Sequence, residues 1–236
     1  MKIIELTLYT NEISNQLKFY SSILGFKIIE ESTSSFSVQV GHSKLTFKES
    51  EKSFIYHYCF LIPSNKLNES IEWLNKRVAI ISYENGRVIE PASKEWNADS
   101  VYFLDPAGNI LEFIVRYDLN NFNHSKSFDL SQILCVNEIG MPSKNLKKIN
   151  RILVKKLGSK LWTGNLERFG ANGTQDGLFL LVNYNTKRNW FPTDLVPAPS
   201  PFHGVFESNG LNHQLSYDKE EIVTHSKGLE SCKHTD

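Results

Sequence analysis

The stretch "VYFLDPAGNILEFI", residues 101–114, reads as two strands around a tight turn, with one residue out of place. Asp105-Pro106-Ala107-Gly108-Asn109 is turn chemistry: Pro presets φ, Gly supplies φ > 0, and Asx side chains hydrogen-bond the local backbone. The run after it, Ile110-Leu111-Glu112-Phe113-Ile114, is apolar except for one central carboxylate. A lone ionised Glu in a buried strand costs several kcal/mol unless it is neutralised, paired or bound to a metal.

Upstream, Ile4, Leu6 and Leu8 alternate with Glu5, Thr7 and Tyr9, which predicts a strand with one polar face. Ile13, Leu17, Tyr20 and Leu24 then recur at helical spacing, with Asn11 as a candidate N-cap and Gly25 as the stop. Strands are expected over 26–30, 36–40 and 44–48, giving a β-α-β-β-β unit. The pattern recurs as a strand over 56–62, a helix over 67–76, and strands near 80–83, 101–104 and 110–115. Residues 84–100 form a longer polar connection, of a length that points to function or mobility.

Residues 118–129, "DLNNFNHSKSFD", read as a linker. Beyond it, "EIGMPSKNLKKINRILVKKLG" echoes "ELTLYTNEISNQLKFYSSILG"; Glu5 precedes Gly25 by the same interval as Glu138 precedes Gly158. Strands are expected over 167–171 and 177–182, and "NWFPTDLVPAPSP" reads as an extended crossing loop. A fourth unit starts at "PFHGVFESNG", but the remaining chain reads as too short and polar to complete it, and "KGLESCKHTD" as a disordered tail.

Charge excludes little but favours nothing global: 26 basic against 26 acidic residues give no field for nucleic acid or anionic membrane. The Lys-rich stretch "KNLKKINRILVKK" reads as the solvated face of an amphipathic helix. The apolar runs are strand-sized, short of the roughly 20 residues a membrane span needs. Cys59 and Cys135 sit in apolar runs as small buried residues, and Cys232 lies near the end. With no signal-peptide pattern at the start, a reduced, cytoplasmic protein is expected. No nucleophile elbow and no phosphate-cradling loop is present.

The repeated βαβββ units, with "QLKFYSSILGFKI" after the first strand and "VYFLDPAGNILEFI" closing the second, resemble the vicinal oxygen chelate superfamily. This group includes glyoxalase I, bleomycin-resistance proteins, extradiol dioxygenases and fosfomycin-resistance thiol transferases. The resemblance implies an α+β fold: tandem βαβββ modules forming a glyoxalase-like curled mixed sheet around a cleft, over residues 1–117. Beyond the linker read over 118–129, it implies a second, degenerate or truncated glyoxalase-like domain over 130–215, followed by a C-terminal tail over 216–236. Modules could pair within the chain or across a homodimer.

The resemblance further implies a divalent metal (Mn, Fe, Ni, Co or Zn) on the cleft floor, held by Glu5, His57 and Glu112, with Glu5 or Glu112 also moving protons. Thr46 stands where a fourth, carboxylate ligand would come, so three protein ligands are expected. Glu138 and His203 match Glu5 and His57 in the second half, where no second DPxGNxxE occurs. The implied partner is a small molecule chelated through adjacent oxygens, in lyase, isomerase or thiol-transfer chemistry. The alternative is a metal-free protein that sequesters a small apolar or aromatic ligand in the same cleft, as bleomycin-resistance proteins do. Trp96 could cover the cleft mouth, whereas Trp162, Phe169, Trp190 and Phe191 read as core or interface.

Overall fold

The computed structural model describes residues 1–83, 86–91 and 94–226. Residues 84, 85, 92 and 93, in the long polar connection, and 227–236, which include Cys232 and the expected tail segment, lie outside the described residues.

The first unit comprises β1 (Lys2–Thr10), α1 (Ile13–Lys18), β2 (Ile28–Glu31), β3 (Ser35–Val40) and β4 (Ser43–Glu49). The helix continues through Phe19–Leu24 as a wider, π-type turn and stops at Gly25, whose φ of 89° only a residue without a Cβ adopts cheaply. Its N-cap is Glu12 rather than Asn11; the Glu12 carboxylate accepts from Asn15 Nδ2 instead of capping the backbone.

The second unit is β5 (His57–Leu61), α2 (Leu67–Asn75), β6 (Glu90–Pro91), β7 (Ala98–Leu104) and β8 (Ile110–Arg116). The strand expected at 80–83 is reduced to a single bridge between Ile80 and Phe103. The third unit is β9 (Cys135–Pro142), α3 (Leu146–Leu157), β10 (Leu161–Gly164), β11 (Phe169–Thr174) and β12 (Gly177–Val182). The segment "NWFPTDLVPAPSP" crosses without strand structure, as expected. The chain then forms β13 (Phe202–Ser208), β14 (Leu211–Asp218) and β15 (Glu221–Ser226), so strands extend well past residue 216.

The strands fall into two mixed sheets, ordered β15-β14-β13-β1-β4-β3-β2 and β10-β11-β12-β9-β5-β8-β7-β6. The first unit therefore pairs with the last strands through β1 and β13, and the second with the third through β5 and β9, both antiparallel. Each sheet joins both halves of the chain. Their apolar faces meet in one core that includes Leu6, Leu8 and Phe47 of one sheet and Phe60, Phe113 and Ile139 of the other. The linker is fastened rather than free: Ser64 N donates to Asn121 Oδ1, Asn65 Nδ2 to Asn123 O, and Phe128 packs on Trp73 and Phe113.

The turn at Asp105 sets the register. The Asp105 carboxylate accepts from the backbone N–H of Ala107 and Asn109, from Asn109 Nδ2 at 2.8 Å and from Gln16 Nε2 at 2.7 Å. The hydroxyls of Tyr20 and Tyr58 also donate to it. Asn109 in turn accepts from Tyr56 N, and Ile110 N donates to Tyr56 O, fixing β8 beside β5. Gly108 supplies the positive φ, 81°, that the turn requires. Leu111, Phe113 and Val115 consequently enter the core, while Glu112 faces the other way.

Burial pushes the Asp105 carboxyl above its usual range, opposed by the hydrogen bonds from Asn109 and Gln16. Asp105→Ala leaves several buried donors without an acceptor and is expected to cost on the order of 3–5 kcal/mol. Chemical denaturation measures it; a loss under about 1 kcal/mol would show that the turn does not depend on this carboxylate.

Candidate metal centre

The outward face of the second sheet carries the chemistry. Across β8, β5 and β9, Cys59 lies laterally between Glu112 and Glu138, and His57 stands two residues before Cys59 on the same face. One nitrogen of His57 and one oxygen each of Glu112 and Glu138 lie within 4.8 Å of one another, and all three side chains are buried. Among the described residues this is the group of three metal-ligand side chains that converges.

Each member is oriented from behind. His57 Nδ1 lies 3.2 Å from the Ile110 carbonyl oxygen. An acceptor there places the ring proton on Nδ1 in the neutral imidazole and leaves a lone pair on Nε2. That Nε2 faces Glu112 Oε2 at 3.3 Å, while Glu112 Oε1 accepts from Ser100 Oγ at 2.5 Å. A lone pair opposite a carboxylate oxygen is unfavourable unless a cation, proton or metal, sits between them.

Glu138 accepts from Arg116 Nη2, and Arg116 Nε donates to Asn137 Oδ1 at 3.0 Å. Burial, with Glu112 adding to it, pushes the Glu138 carboxyl up to about 7 against the pull of Arg116 and His57. A divalent cation fits this donor set of one imidazole nitrogen and two carboxylate oxygens.

The fourth position is apolar. Glu112 lies opposite the residue two after His57; the same register from Glu138 leads through Gly140 to Leu180 on β12. Three protein donors are therefore available, the number expected from the sequence, but not the same three. Glu5 is exposed on β1 in the other sheet. The reason is strand pairing: β5 takes β9 as its neighbour, so Glu138 arrives where Glu5 was expected. On the first sheet the matching positions hold Glu5, Thr46 and His203, with Thr7 opposite both Thr46 and His203. There Thr46 bonds Ser37, and His203 bonds Ser216 Oγ.

Aromatic side chains wall the centre. The Trp190 ring lies 5.2 Å from that of His57, and a Cβ on Gly140 would sit 2.6 Å from a Trp190 ring carbon, so the glycine makes room for the indole. Tyr102 packs on His57 and on Phe191. Trp96 and Trp162 meet edge to face at 4.8 Å, and the Arg116 guanidinium lies over both rings. Trp190, read from sequence as core or interface, is buried in an apolar cluster and packs on His57, while Trp162 and Phe169 pack with Trp96 on a neighbouring cluster. Cys59 and Cys135 are buried thiols; burial pushes Cys59 well up and Cys135 up to about 12, which keeps both protonated at neutral pH.

Residues 2–113 match the Glyoxalase/Bleomycin resistance protein/Dioxygenase superfamily. A candidate dioxygenase from Bacillus subtilis subsp. subtilis str. 168 shares the fold over 95% of this chain and 84% of its own, with 15% identity and a TM-score of 0.59. A glyoxalase I mutant from Zea mays shares it over 94% of this chain and 91% of its own, with 12% identity and a TM-score of 0.54. No curated protein sequence matches the chain. No helix among the described residues is long and apolar enough to cross a membrane. Residues 2–113 thus match the model of the glyoxalase/bleomycin resistance/dioxygenase superfamily, and with the strands beyond them the chain forms a glyoxalase-like two-sheet fold.

Proposed function

We propose that the protein is a divalent-metal-dependent enzyme of the glyoxalase type, acting on a small molecule that binds through adjacent oxygens. His57, Glu112 and Glu138 would hold the metal. The observation that carries this reading is the convergence of one His57 nitrogen with one oxygen each of Glu112 and Glu138 within 4.8 Å in a buried site. A bound divalent cation supplies Lewis-acid polarisation of substrate oxygens.

The chain's own residues supply the rest. Ser100 holds Glu112 with one oxygen turned to the centre, and Arg116 holds Glu138. Trp190, Tyr102, Trp96 and Trp162 exclude water around these groups. One His with two carboxylates departs from the two-His, one-carboxylate set of non-haem iron oxygenases, so proton-transfer chemistry, as in a lyase or isomerase, or thiol transfer is favoured over oxygen insertion.

Elemental analysis of protein purified without chelator is expected to find close to one Mn, Fe, Co, Ni or Zn per chain. The double variant His57→Ala, Glu112→Gln should carry none. Undiminished metal in that variant would place the site elsewhere. Metal-free protein that binds aromatic antibiotics with quenched tryptophan emission would favour the sequestering reading, which the aromatic walls also suit.

A further inference from the structure

Two buried donors beside the centre lack hydrogen-bond partners: Arg116 Nη1, on a side chain with no solvent exposure, and Trp190 Nε1, on one that is 2% exposed. Arg116 already commits Nη2 to Glu138 and Nε to Asn137, so its third nitrogen is the one left over. Trp190 is seated over His57 by the gap at Gly140, with its indole N–H buried. Native structures rarely leave such groups unpaired unless a ligand or water completes them. Both are donors, so what completes them is an acceptor.

Charge points the same way. With a divalent cation between His57, Glu112 and Glu138, and Arg116 beside them, the buried site carries one net positive charge. A negative ligand balances it. The groups around it are aromatic, with Tyr102 and Trp190 against His57 and Trp96 and Trp162 against Arg116, neighbours that suit a flat ring.

We infer that the substrate is a small, flat organic anion: apart from the oxygen pair offered to the metal, it carries a separate carboxylate-like group that accepts from Arg116 Nη1 and Trp190 Nε1. This rests on the metal-dependent reading above. Arg116 and Trp190 then serve as specificity-determining residues, with the planar guanidinium offering one edge to Glu138 and its remaining N–H to the ligand.

The test is calorimetric titration of zinc-loaded protein, its zinc content measured separately, with 3,4-dihydroxybenzoate and with 3,4-dihydroxybenzamide. Both offer the same adjacent oxygens, and only the distal group differs in charge. The anion is expected to bind roughly tenfold or more tightly than the amide, the size of a charge-assisted hydrogen bond. Arg116→Lys, which keeps the charge and loses the fork, and Trp190→Phe, which keeps a ring and loses the donor, should each shrink that ratio several-fold. Equal affinity for both probes, binding of neither, or an unchanged ratio in both variants overturns the inference. Failure to load zinc at all instead overturns the metal-dependent reading.

Discussion

Arg116→Met is expected to destabilise the metal-free protein by about 3–5 kcal/mol, because it strands Glu138 without its partner in the interior. Arg116 has no solvent exposure, and no other side chain donates to the Glu138 carboxylate among the described residues. The defect should depend on pH in a definite direction. Losing the guanidinium removes an influence that holds the Glu138 carboxyl down, so its protonation range rises further. A carboxyl raised on folding stabilises at low pH, and that contribution disappears as pH rises through its folded range. Urea melts in chelator should therefore show a small loss near pH 5 and a large one near pH 8. Saturating zinc should return part of it, by linkage to binding. Equal losses at both pH values would mean that packing against Trp96 and Trp162, not charge, is what Arg116 contributes.

Glu138→Gln separates stability from binding. In the unfolded chain this carboxyl ionises near 4.5, whereas in the folded protein it holds its proton up to about 7. Between those values the native state binds more protons than the unfolded state, so the metal-free wild type loses stability as pH rises from about 4.5 to about 7. The deficit above that window is on the order of a few kcal/mol, reduced by the Arg116 pair. A glutamine keeps an oxygen for Arg116 and removes the charge facing Glu112. Its melting temperature in chelator should vary less with pH and exceed the wild type's at pH 8, while zinc affinity falls about 100-fold or more. A variant that loses stability at pH 8 yet keeps its zinc would contradict both halves of this expectation.

The parts of the fold legible in the sequence were those written within a few residues. The Asp105–Asn109 turn announces itself because Asp, Gly and Asn each serve backbone geometry inside five positions, and the alternation after it fixed which way Glu112 points. The helix face of α3, with Leu146, Ile149, Leu153 and Leu157 buried, was equally local. Strand pairing across units was not. Glu5 and Glu138 open units with the same spacing to a helix-ending glycine, and nothing near either residue states which one neighbours β5. The final strands were missed for a related reason. In β14 buried and partly open residues alternate, with Leu215 and Tyr217 inward and Gln214 and Ser216 outward, so half of the segment reads as polar chain. Trp190 is core, as its sequence context suggests, but no sequence pattern connects it to Gly140, the residue that admits it over His57.

The pairing of β1 with β13 and of β5 with β9 also has a consequence for how the chain acquires its shape. During synthesis β1 emerges first yet must wait for almost the entire polypeptide before its partner exists. Contacts so distant in sequence slow folding, because loop closure precedes the reward of pairing. Until β13 arrives, β1 offers an open edge, and β5 does the same until β9 appears, so nascent or truncated chains ending after residue 117 present two templates for strand exchange with one another. The two halves are interlaced, and each, separated from the other, leaves a strand edge unpaired.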